Sequence, residues 1–151
     1  MKLQKNTRLA LYSVLEFAAE PTRHIAASTI AERYDVSPHH LAKVLSELAR
    51  AGVVESVRGV GGGYRFAANA RRLTLMDVIQ LFEDLEGADE RREPADETAV
   101  GRALATVLAE VDEMARATFA TITLATMLRI VERQRGGGAT AGTPRARQGS
   151  A

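Results

Sequence analysis

The stretch from Pro38 to Phe66 constrains the fold of this chain more than any other part of it. Apolar residues recur at Leu41, Val44, Leu45 and Leu48, the i, i+3, i+4, i+7 spacing of one buried helix face. Ser37 stands where a cap is needed, and Pro38 at the first helical position, where a backbone N–H would be unpaired anyway. Gly52 can close the helix in the left-handed conformation. Two strand-like runs follow at once, Val53–Val57 and Tyr64–Phe66, separated by Arg58-Gly59-Val60-Gly61-Gly62-Gly63. So many glycines between two apolar runs read as the tip of a hairpin.

Upstream, Leu11, Val14, Leu15 and Ala18 mark a first helix, with Thr7 as its expected cap and Pro21 beyond its end. A second, short helix is expected from Ala27 to Tyr34, with Ile30 and Tyr34 on one face. The tight link Asp35-Val36-Ser37 then joins it to the helix at Pro38, which is the helix-turn-helix pattern. Downstream, Thr74-Leu75-Met76-Asp77 resembles a capping box that opens a helix to about Leu85, and a charged connector with Pro94 runs from Glu86 to Glu97.

From Thr98 the apolar residues Val100, Leu104, Val107, Val111 and Met114 alternate steps of 4 and 3, a coiled-coil-like seam. Leu108, Ala115, Phe119 and Ile122 widen it on one side, so this helix is expected to pack on its own domain and on a second copy. Thr123 is positioned to cap a last helix from Leu124 to Arg135, and residues 136–151 lack periodicity and are expected to be disordered. The expected fold is therefore mainly α with a small β wing. Residues 1–73 form a winged helix-turn-helix, 74–97 a helix and connector, and 98–135 a long dimerisation helix with a short terminal one.

A net charge of +1 conceals an asymmetry. Residues 1–73 carry 11 Lys and Arg against 6 Asp and Glu, whereas residues 74–135 carry 7 against 13. The basic half is suited to a polyanion. The chain has no cysteine, which excludes disulfides, thiolate metal sites and cysteine catalysis. Met1 to Arg8 contains no apolar leader core, and no later stretch approaches a membrane span, so a cytoplasmic protein is expected.

On the third helix, His39, His40, Lys43, Ser46 and Arg50 lie opposite the apolar face. The first three fall in the early turns, the part of a recognition helix that reaches base edges. Arg58 and Arg65 bracket the hairpin tip, where guanidiniums can meet phosphates or enter a narrow minor groove. With Ser28, Thr29 and Ser37 at helix starts, and Gly61, Gly62 and Tyr64 in the wing, these make up the candidate DNA-contacting set. The bland readings are a plain hairpin turn and solvated surface histidines. His24, alone between helices, reads as structural or exposed, and the carboxylates from Glu83 to Glu97 as a solvated connector rather than a cation site.

Enzyme chemistry is not expected. No nucleophile, base and acid set is present, and adjacent His39 and His40 diverge by about 100° on a helix. A dinucleotide fingerprint would need glycine at position 64, which is Tyr64. No cofactor or metal is expected.

The wing segment Ala51-Gly52-Val53-Val54-Glu55-Ser56-Val57-Arg58-Gly59-Val60-Gly61-Gly62-Gly63-Tyr64 resembles that of the Rrf2 family of winged-helix regulators, the group containing IscR and NsrR. Met1-Lys2-Leu3, Ile30-Ala31-Glu32 and Ile122-Thr123-Leu124 support the resemblance. It implies a dimeric, sequence-specific transcriptional regulator, expected to be a repressor, that binds a palindromic operator in duplex DNA. Many members of the family hold an iron–sulfur cluster on connector cysteines. Here the segment from Leu85 to Gly101 offers Asp89, Glu90, Glu93, Asp96 and Glu97 but no thiolate, Arg8 stands where one branch has an aspartate ligand, and Ala42 where cluster-bearing members often have glutamate. The resemblance therefore implies cluster-independent regulation, with a small-molecule effector, a protein effector or none. The alternative is a winged-helix module that binds a partner protein and no longer reads DNA specifically.

Overall fold

The computed structural model describes residues 2–83 and 94–137. Three helices come first: α1 (Lys5–Ala19), α2 (Ala27–Arg33) and α3 (Pro38–Arg50). A two-stranded antiparallel hairpin follows, β1 (Val54–Val57) paired with β2 (Gly63–Phe66) in the register Val54 to Phe66 and Val57 to Gly63. Next come α4 (Leu75–Ile79), a 3-10 turn at Pro94–Glu97, the long α5 (Ala99–Thr121) and α6 (Leu124–Gly137). The result is the mainly α winged helix-turn-helix with a long C-terminal helix that the periodicity predicts.

The helix-turn-helix forms where its local signals agree. Ser37 Oγ accepts the His40 backbone N–H at 3.1 Å, with Pro38 in the first turn of α3. Leu41, Val44, Leu45 and Leu48 are buried. The turn before them passes through Asp35 at φ 50°, a left-handed position that aspartate tolerates better than most side chains. Gly52 ends α3 at φ 75°, as its composition predicts.

One hydrophobic cluster joins Leu9, Val14 and Phe17 of α1 to Ile30 of α2, to the α3 face, and to Ile79 of α4. Leu124 of α6, fully buried, belongs to it as well. Main-chain bonds from Leu75 N–H to the Ile122 carbonyl (2.9 Å) and from Leu124 N–H to the Leu73 carbonyl (2.9 Å) tie the end of α5 beside the start of α4. The capping box at Thr74 and Asp77 is formed in both directions, at 2.8 and 3.1 Å. Thr123 Oγ1 caps α6 by accepting Thr126 N–H at 3.2 Å.

Three boundaries differ from the sequence reading by more than one residue. Helix α1 begins at Lys5 rather than at Thr7, because its first donors are met from a distant element: Glu83 accepts the Gln4 N–H at 2.7 Å and the Thr7 hydroxyl. Thr7 is therefore a buried residue inside the helix, not its cap. Helix α4 stops at Ile79, and the chain continues through i→i+3 bonds at Leu81 and Phe82, which turn Glu83 back toward α1. Leu85 and the connector residues Asp89, Glu90 and Glu93 lie outside the described residues. Gly136 and Gly137 belong to α6 rather than to a tail, and residues 138–151 lie outside the described residues.

Candidate nucleic-acid interface

Three structural pieces carry the candidate contacts. On α3, His39, Lys43 and Ser46 are exposed, whereas His40 is half-buried. The His40 Nε2 atom is sealed from solvent without a hydrogen-bond partner among the described residues, so it reaches a base edge only after a change of rotamer. Arg50 is held by Glu47 at 2.8 and 3.0 Å, one turn earlier on the same helix. His39, His40, Lys43 and Glu47 form one wall of an open groove of about 450 Å³, with Asn6 and Phe82 on the opposite side. Asn6 and Phe82 carried no sequence signal, since α1 and the α4 exit meet α3 only in the fold.

The second piece is the wing, whose placement depends on Tyr64. Its backbone bonds Ile25 in both directions at 2.9 Å, and its ring lies 6.3 Å from that of Phe17. Tyr64 is thus an anchor of the wing root, although the sequence places it among the DNA contacts. The glycines have the same explanation. Gly59 and Gly61 adopt φ 108° and 75°, conformations that favour glycine. A Cβ on Gly62 would stand 2.4 Å from the Val57 carbonyl oxygen, and one on Gly63 would stand 2.5 Å from that of Ile25. The close approach demanded at Gly62 and Gly63 is to the chain's own backbone.

The two wing arginines are not equivalent. Glu55 and Arg65 are cross-strand partners, and Arg65 Nε donates to Glu55 Oε1 at 2.6 Å within a salt bridge. Arg58 is exposed at the tip, beside the exposed Val60, with no partner among the described residues. The third piece is the start of α2, where Ser28 and Thr29 are exposed. They follow Ile25 and Ala26, the segment against which Gly63 packs, so wing root and α2 start are neighbours.

Away from this surface, α5 has no buried residue along its length. Val100, Leu104, Val107, Val111 and Met114 are between 45% and 80% exposed, and Leu108 is exposed as well. Among the described residues, α5 meets its own core toward the C-terminal end, through Phe119 and the C-cap residue Ile122. His24 is exposed.

Comparisons with known proteins agree with this architecture. The family model described as Rrf2, iron-dependent transcriptional regulator, matches residues 3–130. BadM of Rhodopseudomonas palustris, named as an HTH-type transcriptional regulator, is 48% identical over 135 residues, covering 89% of this chain and 86% of that protein. Oxidized CymR of Staphylococcus aureus superposes with a TM-score of 0.70 at 26% identity, over 85% of this chain and 96% of its own. IscR of T. potens shares the fold with a TM-score of 0.71 at 24% identity, over 95% of this chain and 94% of its own. These relatives are regulators of transcription rather than enzymes. A helix-turn-helix followed by a glycine-tipped wing, matched from residue 3 to residue 130, makes this chain a member of the Rrf2 family of transcriptional regulators.

Proposed function

We propose that the protein is a homodimeric, sequence-specific DNA-binding repressor that works without an iron–sulfur cluster. The observation that carries this reading is the division of the exposed surface. Cationic and hydrogen-bonding groups collect on α3 and the wing, while an apolar seam runs uncovered along α5. Pairing two copies through α5 would cover the seam and set two α3 helices for the half-sites of a palindrome. His39 and Lys43 then face base edges in the major groove, and His40 joins them after a change of rotamer. Arg58 enters the flanking minor groove, and Ser28, Thr29 and Ser37 bond phosphates. Arg65, engaged by Glu55, acts first as a brace that fixes the wing and only secondarily as a phosphate contact.

The residues present do not fit an iron–sulfur cluster. Such clusters depend on sulfur ligation, the chain has no cysteine, and Arg8 adds a positive charge at the N-terminal helix. Among the described residues no three of His, Asp and Glu gather as a metal site. A regulator of transcription works where the DNA is, which in a bacterium is the cytoplasm. Among the described residues, no helix is long and apolar enough to cross a membrane.

The test is a competition assay at near-physiological salt, using a site selected from randomised duplexes and a scrambled version of it. Arg58→Ala should weaken binding to the selected site by at least tenfold, since a lost specific contact costs about 1–3 kcal/mol and occurs twice per dimer. Arg133→Ala, on the exposed surface of α6, serves as the control. Equal, weak binding of selected and scrambled DNA by the unaltered protein would leave the partner-binding module as the better reading.

A further inference from the structure

A second cavity, of about 320 Å³, opens between the N-terminal end of α1 and the α2–α3 turn. Its apolar surface comes from Leu3, Leu9 and Val36 and from the rings of Tyr12 and Tyr34. The two rings stack with centroids 5.0 Å apart and planes 15° from parallel. Its remaining lining residues, Lys2, Lys5 and Arg8, are all cationic. Among the described residues no carboxylate lines it, and neither lysine has an ion-pair partner. Arg8 Nη2 donates to the Tyr12 hydroxyl at 3.0 Å, and its guanidinium lies 6.0 Å from that ring's centroid.

Two described acids lie near this cavity, and neither pairs with these cations: Glu83 accepts from the Gln4 N–H and the Thr7 hydroxyl. Glu16 accepts the Tyr34 hydroxyl at 2.6 Å and is paired with Arg33, so its charge is already engaged. Burial, followed by this bond to Glu16, holds the Tyr34 hydroxyl far above the ordinary phenol range, so the ring presents a neutral wall. An apolar cavity bordered by cations that have no counter-charge among the described residues is complementary to a ligand with an apolar body and a single anionic head. At ~30 Å³ per water-sized group, the volume holds roughly ten non-hydrogen atoms.

We infer that this cavity binds a small amphipathic carboxylate, its alkyl or aryl body against Leu3, Tyr12 and Tyr34 and its carboxylate held by Arg8 and Lys5. The site borders the turn that orients α3. Tyr34 follows the last residue of α2, and Val36 precedes the α3 cap by one position. Occupation therefore changes the setting of α3 against DNA, which gives the regulator an effector site. Ligand binding itself does not depend on the DNA-binding reading; only this coupling rests on it.

Calorimetry on the full-length, DNA-free protein tests the site with octanoate and 3-phenylpropionate. Octanol and 3-phenylpropanol are the uncharged counterparts, and acetate is the acid without a body. The expected result is one site per chain for at least one of the two acids, with at least about tenfold weaker binding of its alcohol and of acetate, because the charge-assisted bonds and the apolar contact are both required. Arg8→Gln should bring the affinity for the acid down toward that for the alcohol while leaving the alcohol unchanged. No binding of either acid at millimolar concentration, equal binding of acid and alcohol, or an Arg8→Gln affinity equal to wild type would overturn the site. A mobility shift with and without the bound acid tests the coupling, and an unchanged operator affinity would refute that part. Failure to bind operator in the absence of any acid would instead count against the DNA-binding reading alone.

Discussion

Leu104→Glu is the sharpest perturbation of the proposed dimer. The exposed fractions of Val100, Leu104, Val107, Val111 and Met114 are equivalent to about three whole side chains per protomer, or about 9–18 kcal/mol per dimer at ~1.5–3 kcal/mol each. Association of two chains opposes this with about 4–15 kcal/mol of lost rigid-body freedom, so the surplus that holds the dimer is modest. Leu104 is 58% exposed, and two copies of it supply about 2–3.5 kcal/mol. Replacing it with glutamate removes that share and places two like charges across the symmetry axis region, each carrying its own desolvation cost. The dimer constant should weaken by about a hundredfold or more. Sedimentation velocity at micromolar concentration would then show a dimeric wild type and a monomeric variant. Ala109→Glu adds the same charge to the opposite side of α5 and should stay dimeric. A monomeric wild type, or equal behaviour of the two variants, would refute the assignment of the seam.

Two further outcomes are expected. Protein purified without oxygen should be colourless, with no stoichiometric iron or sulfide, and a chelator should leave its operator affinity unchanged, because no thiolate exists to hold a cluster. Gly63→Ala should lower stability by about 1–3 kcal/mol and Tm by several degrees, since the new methyl meets backbone of Ile25 and Ala26 that cannot rotate away. Gly136→Ala has open space around it and a helical backbone, so calorimetric melting should show no loss, or a gain.

What could be read from the sequence were features whose partners lie close along the chain. The Leu41, Val44, Leu45 and Leu48 stripe, the Ser37-Pro38 start and the Thr74–Asp77 box each declare themselves within about two helical turns, and each is formed. What escaped involves partners far away in sequence. Glu83 closes the N-terminus of α1 across a separation of 76 residues from Thr7, so the apparent cap signal of Thr7 was overridden. The carboxylate-poor cavity at Leu3, Tyr12 and Val36 is likewise assembled only when the α2–α3 turn meets the start of α1.

The wing shows how a correct motif can mislead about individual residues. Its glycines suggested clearance for a phosphate or a groove wall, yet Gly62 and Gly63 clear the chain's own carbonyls, and Tyr64 is bonded to Ile25. Arg65 looked equivalent to Arg58 because both flank the tip, but the hairpin register sets Arg65 directly across from Glu55. Most of the signature is therefore a prescription for building a rigid wing and attaching it beside the start of α2. Of the wing's charged side chains, Arg58 is the one left free among the described residues to meet DNA. A single cation at a tip reports groove shape more than base identity. Under the proposed DNA-binding reading, the burden of discriminating one operator from another falls on the exposed early turns of α3, at His39, Ala42 and Lys43, with His40 poised beside them. Since the α2–α3 turn sets the angle of that helix, a ligand seated against Tyr34 and Val36 would act where specificity is decided rather than on the wing.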